Sequence, residues 1–463
     1  MKRPLRWLLH HVLRFRQSIA FLPSLLALLY LMLGLLAVLP LGERVPLTEF
    51  LAGVRFTEAQ TPRTLLSTLI AGMISLAVFS FSIVMSVLTQ AGGNFSHKLV
   101  FGLISERHHQ WVLGHYLGTI LYILMLLMVP VSGEVPSIWR SLSTYLGVAM
   151  VIHCLALFVY FIHNASQSVQ INAVNRGLHQ ATCKSLARLE TRQQRPGWCR
   201  RPPPSFAAHW PRIRARRSGY IQNADIEALG RLAIEADVII HLNFTFGDYT
   251  VEGFPLFIIE ASEAPTESVC AEALGLLVYV EGEVAEDLYL NGMTQLMEVA
   301  VKALSPGIND PGTARLCLHQ LTELLCRRLQ FHPCNTFADG EGQGRVTWQT
   351  EPFDSLLYRL VNPILHYGKE DVSIGLALLK ALKTLSLFAE PKDLASIQRH
   401  AERVIETLAR RDTHPLDREF IGARLAGGSH RLTLPAELPS SLSSTPPSAG
   451  RQAGPSHGDG NAQ

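Results

Sequence analysis

Four apolar stretches, each about as long as a membrane-crossing helix, occupy the first third of the chain, while the remainder mixes shorter apolar rhythms with polar breaks. They run from Ser18 to Leu39, Leu65 to Leu88, Trp111 to Val129 and Ile138 to Ile162. An α-helix needs about 20 apolar residues to cross a bilayer core. The pattern predicts a mostly α protein. A basic N-terminus (1–17) precedes a four-helix transmembrane region (18–163), a helical stalk with a basic, Pro-rich linker (164–217), and a cytoplasmic α+β domain (218–431) with a small β unit and a helical C-terminal part. The Ser-, Pro- and Gly-rich segment 432–463 cannot bury a core and is expected to be disordered.

The second span is the most patterned. Thr68, Gly72, Ser75, Phe79, Ser82, Ser86 and Thr89 recur at alternating steps of four and three, which sets one narrow, mostly small and polar stripe along an otherwise Leu-, Ile-, Val- and Phe-rich helix. The spacing fits two uses: close helix packing through small residues, or a pathway wetted by hydroxyls. His153 falls near the middle of the fourth span, and ionisable groups at that depth face a bundle interior or a cavity. His115 shares one face of the third span with Trp111, Thr119 and Tyr122 and reads as a boundary residue.

Past the spans, the run from His163 to Asn172 holds no glycine or proline, so the fourth helix is expected to continue as a stalk. Pro196, Gly197, Pro202, Pro203, Pro204 and Pro211 then mark a linker. Asn223 is placed as the cap of a helix ending near Glu235. Strands are expected around Val238–Phe244, at Pro255–Ile259 and between Gly275 and Val280, with turns at Gly247-Asp248 and Glu252-Gly253. The phrase from Gly247 to Leu256 looks like the loop and strand of biotinyl- and lipoyl-type carriers, but it lacks the lysine they modify.

The string Ala303-Leu-Ser-Pro-Gly-Ile-Asn-Asp-Pro-Gly-Thr-Ala stops one apolar helix at Pro306-Gly307 and starts another. Asp310 stands at an N-cap and Pro311 at the first helical position. The corner offers either a helix cap or a binding site built from Asn309, Asp310, Thr313 and the helix-start amides. From Phe353 to Leu425 the apolar spacing is helical, with breaks near Gly368 and Pro391.

Charge predicts an orientation. Arg176–Arg217 carries eleven Lys/Arg against the single acid Glu190, and Lys2, Arg3, Arg6, Arg14 and Arg16 precede the first span. Basic flanks stay on the cytoplasmic side, so the N-terminus and everything after the fourth span are expected in the cytoplasm, with the basic stretch resting on anionic lipid headgroups. A net charge of +3 gives no ground for a nucleic-acid partner. The seven cysteines contain no C-x-x-C pair and suit a reducing compartment. Cys317, His319, Cys326, His332 and Cys334 lack the close pairs of a metal site. No nucleophile elbow, phosphate-binding loop, zinc-protease motif or dinucleotide fingerprint is present. Neither cofactor nor metal is expected, and the chain is not expected to be an enzyme.

The order of parts resembles a known family. Four N-terminal spans, Asn94-Phe-Ser-His-Lys-Leu, Leu113-Gly-His-Tyr-Leu-Gly-Thr, Gly219-Tyr-Ile and above all Ala303–Ala314 resemble bacterial predicted membrane proteins of the domain-of-unknown-function family numbered 2254. The likeness spans Leu5 to Leu425. It departs at Ser96-His97-Lys98, where the family tends to have Ser-Pro-Arg, and at Glu283–Asp287. The resemblance implies an architecture and no activity. The leading functional expectation is an oligomeric inner-membrane channel or solute pathway with a cytoplasmic regulatory domain. The alternative is a membrane-tethered sensor, scaffold or regulator without transport.

Overall fold

The structure, a computed structural model, describes residues 21–38, 55–58, 60–94, 107–128, 138–168, 171–202, 204, 206–261, 264–280, 288–410 and 414–439. The basic N-terminus, the segment from Phe95 to Leu99, the turn Pro130–Ser137, the stretch Glu283–Asp287 and the tail from residue 440 lie outside the described residues. The chain divides into two compact units, Met1–Ala303 with Cys334–Gln349, and Leu304–Pro333 with Thr350–Gln463.

In the first unit, α1 (Phe21–Val38), α2 (Gln60–Asn94), α3 (Arg107–Met128) and α4 (Ile138–Ser168) are each long and apolar enough to cross a membrane. Their shared core contains Leu66, Met73, Tyr116, Tyr122, Ile123, Leu126, Val151 and Cys154. Many of the other Leu, Ile, Val and Phe side chains point outward, as a helix bundle bathed in lipid requires. Two contacts close one end of the bundle. Arg140 Nη2 donates to the Leu126 carbonyl at 2.6 Å, satisfying part of the α3 C-terminus. Before α2, Phe56 stacks on Tyr145 at 4.9 Å, and its amide donates to Ser141 Oγ.

Helix α5 (Ile171–Gln193) follows α4 and contains Gly177 within it. α5 packs on α8 (Tyr289–Ala303), and Gly292 gives Thr182 the room a side chain would take. Beyond α5 a six-stranded sheet runs in the order β1 (Trp198–Cys199), β8 (Thr336–Ala338), β9 (Gly344–Thr347), β4 (Ile239–Leu242), β6 (Pro255–Glu260), β2 (Arg212–Arg214). All neighbours are antiparallel except β4 and β9. A second sheet holds β5 (Tyr249–Thr250), β3 (Gly219–Ala224) and β7 (Leu277–Val280). Helix α6 (Ile226–Glu235) buries Leu229, Leu232 and Ala233 in one core with Ile240, Phe257, Ile259 and Val346. Helix α7 (Glu267–Gly275) adds Ala273.

Two expectations are corrected. Asn223 does not cap α6: it lies in β3, and Asp225 is the cap, accepting from the Ala228 amide at 3.0 Å. Strand pairing of Asn223 and Ala224 with Val278 and Leu277 holds the chain extended for two more residues. The linker is also partly structured, because Trp198 and Cys199 pair with Phe337 and Thr336.

The second unit is helical: α9 (Pro311–Gln330), α10 (Phe353–Tyr367), α11 (Val372–Phe388), α12 (Pro391–Ala409) and α13 (Pro415–Ala426). Its α12 has buried Ile397, Ala401, Val404, Ile405 and Leu408 on one face and charge on the other. Leu432 and Leu438 are buried, and the Thr433 amide donates to Gln398 Oε1, so the chain expected to be disordered from residue 432 is packed as far as Leu438.

Candidate functional site

The candidate site in the membrane helices is built from a close approach of two backbones. Gly114 and Gly118 stand one turn apart on α3, and a Cβ on Gly118 would fall 2.6 Å from Tyr30 Cγ; one on Gly114 would fall 2.7 Å from Leu26 Cδ1. Gly34 on α1 meets Met125 in the same seam, so position rises along both helices together and they run parallel. Small residues at this spacing let membrane helices touch along their backbones.

That approach brings polar groups together. Tyr30 Oη lies 2.7 Å from His115 Nδ1. His115 is only 8% exposed, with the ring of Trp111 at 5.0 Å and that of His153 at 5.1 Å, edge to face. Its Nε2 is buried with no partner among the described residues. Thr119 Oγ1 sits 3.3 Å from Cys154 Sγ, which in turn points at the His115 carbonyl. Helices α1, α3 and α4 thus gather Tyr30, His115, Thr119, His153 and Cys154 into one polar cluster within apolar surroundings. Two imidazoles, one buried and one exposed, thus stand edge to face within the apolar helices. Hydropathy placed His115 near a span boundary; across the bundle, the packed seam buries it against α1. The Gly-x-x-x-Gly spacing was the signal for that, since it announces where α3 meets a neighbour.

The hydroxyl stripe lies elsewhere. Thr68, Gly72, Ser75, Ser82, Ser86 and Thr89 are all exposed on α2, facing away from the bundle, while Leu66, Met73 and Ser80 form the inward face. Thr68, Ser75, Ser82 and Thr89 donate to carbonyls four residues back at 2.9–3.0 Å. A Cβ on Gly72 would meet nothing within 4 Å.

In the helical unit, Asp310 is the N-cap of α9. Its Oδ1 accepts from the Thr313 amide at 3.1 Å and its Oδ2 accepts from the Thr313 hydroxyl at 2.6 Å. These bonds hold the Asp310 carboxyl below its ordinary range. Asn309 takes a left-handed backbone (φ +47°), and its amide donates to the Ser305 carbonyl. The carboxylate therefore occupies the helix-start amides that a ligand anion would use.

Two buried polar groups carried no sequence signal. His241 on β4 is 2% exposed, with Nδ1 2.7 Å from Thr347 Oγ1 and Nε2 3.2 Å from Glu260 Oε2. Phe206 and Trp210 cover the ring. Burial lowers its pKa, and Glu260 only partly offsets that. With both nitrogens engaged and the ring capped, this is a satisfied structural histidine. Lys383 on α11 is likewise buried, donating to the carbonyls of Arg424, Leu425 and Gly427 at 2.8, 2.9 and 2.6 Å. Each makes sense only across strands or helices distant in sequence.

Four apolar helices joined to a mixed sheet and a helical unit define a polytopic membrane protein with a large part outside the spans. The model of the family described as Predicted membrane protein (DUF2254) matches residues 16–384, and the chain belongs to that family. It is similar to the uncharacterized proteins Mb1321c of Mycobacterium bovis and Rv1290c of Mycobacterium tuberculosis. Each is 25% identical over 403 residues, covering 84% of this chain and 76% of the relative. No solved structure matches.

Proposed function

We propose that the protein is an oligomeric inner-membrane pathway for ions or small polar solutes, with its C-terminal part regulating it from the cytoplasm. The outward stripe on α2 carries this reading. A row of hydroxyls, with an open glycine in its midst, gains nothing from lipid tails. It is suited to face the same helix of other copies around a shared axis, where the oxygen lone pairs left over after each helical back-bond line a wetted path. His153, exposed on α4 beside buried His115, adds a second polar imidazole to the same membrane region. The basic stretch 176–217 supports a cytoplasmic C-terminal part lying against anionic headgroups.

The test is ion and proton flux into liposomes holding the purified protein, with oligomeric mass measured on the same sample. Flux through an oligomer that Ser82→Leu abolishes supports the pathway. An intact oligomer silent to several ions across pH would make the stripe a packing seam and the protein a membrane-tethered regulator.

A further inference from the structure

The outer seam between α10 and α12, in the helical unit, holds a cationic groove that neither the membrane reading nor the Asp310 corner explains. Pro363 sits inside α10, where it has no N–H to give the Arg359 carbonyl and disturbs the helix's regular face. Beside it opens a cleft of about 690 Å³, lined among others by Asn362, His366, Lys369, Arg403, Thr407 and Arg410. The groove continues at Arg403 into a second hollow of about 390 Å³, where Tyr358, Arg399 and His400 form the walls. Either volume lies in the range of about 300–1,000 Å³ usual for small-molecule sites.

The charges are unbalanced. Arg399 and the Ser396 hydroxyl already engage Asp354. Arg410 lies 3.9 Å from Glu406, a loose surface pair. Arg403 and Lys369 have no ion pair among the described residues, and the Arg403 guanidinium sits 5.9 Å above the Tyr358 ring. Among the described residues, Glu370 is the remaining acid on the cleft's wall. Lys369 and Arg403 outnumber it, and Arg410 in its loose pair adds a second guanidinium; the planar forks of the two match phosphate oxygens.

The second hollow offers different chemistry. Tyr358 and Tyr367 expose 52% and 51% of their surface, so each hollow has an aromatic ring on its wall. His400 Nδ1–H donates to the Ser396 carbonyl at 2.9 Å, so in the neutral ring Nε2 is an acceptor, and it is buried without a partner among the described residues. Cations along the groove, with aromatic surface beside them and an unused acceptor near Tyr358, match a ligand that joins phosphate to a planar, hydrogen-bond-donating ring.

We propose that this groove binds a nucleoside phosphate, with Lys369, Arg403 and Arg410 on the phosphates and Tyr358 and His400 on the base end. The experiment is equilibrium binding to the full-length protein in detergent. The probes are the diphosphates of adenosine, guanosine, cytidine and uridine, beside inorganic pyrophosphate and the short-chain lipid dihexanoylphosphatidylglycerol. At least one nucleoside diphosphate is expected to bind saturably and more weakly as salt rises. Loss of one charge-assisted contact corresponds to about tenfold or more in affinity. Arg403→Gln and Arg410→Gln should each weaken binding by that much, while Lys380→Gln, outside the groove, leaves it unchanged. His400→Phe should reduce discrimination among the bases. Failure of all four diphosphates to bind, or binding indifferent to Arg403→Gln in a variant with unchanged melting temperature, overturns the proposal. Pyrophosphate binding as tightly as any nucleotide would overturn the nucleoside part in favour of a bare phosphate site. The lipid doing so would replace it with a headgroup site.

Discussion

Trp210 lies flat on the imidazole of His241, with ring centroids 5.4 Å apart and planes 11° from parallel. The stack seals a histidine whose folded pKa is depressed by burial. Such a group remains neutral in the fold while the unfolded chain takes up a proton below the ordinary value of about 6.5. Stability is therefore full above that value and is lost as pH falls toward the depressed folded pKa. Thermal melts of the wild type should drop over that interval. His241→Gln should melt lower at pH 7 but depend less on pH there; an unchanged slope would remove His241 as the source.

Lys383 should act as a clasp. Its ammonium satisfies three carbonyls at the end of α13, and a methionine there would leave them buried and unpaired. A loss of about 3 kcal/mol is expected from breaking a buried charge's hydrogen bonds. Limited proteolysis should cut Lys383→Met first within α13. Equal protection in both proteins would show that α13 is held by its apolar contacts alone.

Gly118 and Gly72 make a matched pair within the membrane. Gly118→Val drives carbons into the Tyr30 ring, so it should separate α1 from α3, break the Tyr30–His115 bond and lower the melting temperature in detergent. Gly72→Val meets open space within the chain and should leave the stability of the single chain unchanged. If the stripe faces other copies, it should shift the oligomeric mass. A Gly118→Val protein as stable as wild type would contradict the close seam.

Removing the α9 cap by Asp310→Ala should cost about 1 kcal/mol, and Asp310→Asn, which retains an acceptor oxygen, should cost less. Because the folded carboxyl is depressed, its contribution is complete above the ordinary Asp value of about 3.9 and disappears as pH falls through the lower folded value. Denaturant titrations of wild type and Asp310→Ala should therefore converge in strong acid.

The parts legible in the sequence were those with a short physical range. Span lengths follow from hydropathy alone, and Asp310-Pro311 announces a helix start because cap and first turn are adjacent. Strand pairing was less visible: Trp198 sat among prolines and glycine, and nothing nearby shows that Phe337 completes its ladder. Asn223 misled because it has cap chemistry two residues before the true cap, and only its pairing with Val278 rules it out. The stripe was legible as a pattern but not as a direction, since helical spacing does not say which face a neighbouring helix covers. The cationic groove escaped because its walls come from residues about forty positions apart.

The glycine seam also bears on how the protein is made. Helix α1 packs mainly on α3, whose glycines leave the ribosome about 85 residues later than Tyr30. During synthesis the first helix must wait in the bilayer with the Tyr30 hydroxyl lacking its histidine, and helix α2 must already be laid down before the waiting helix can be closed upon. Assembly of this bundle is thus ordered by the spacing of its small residues, and a slow or misplaced third helix would strand the first.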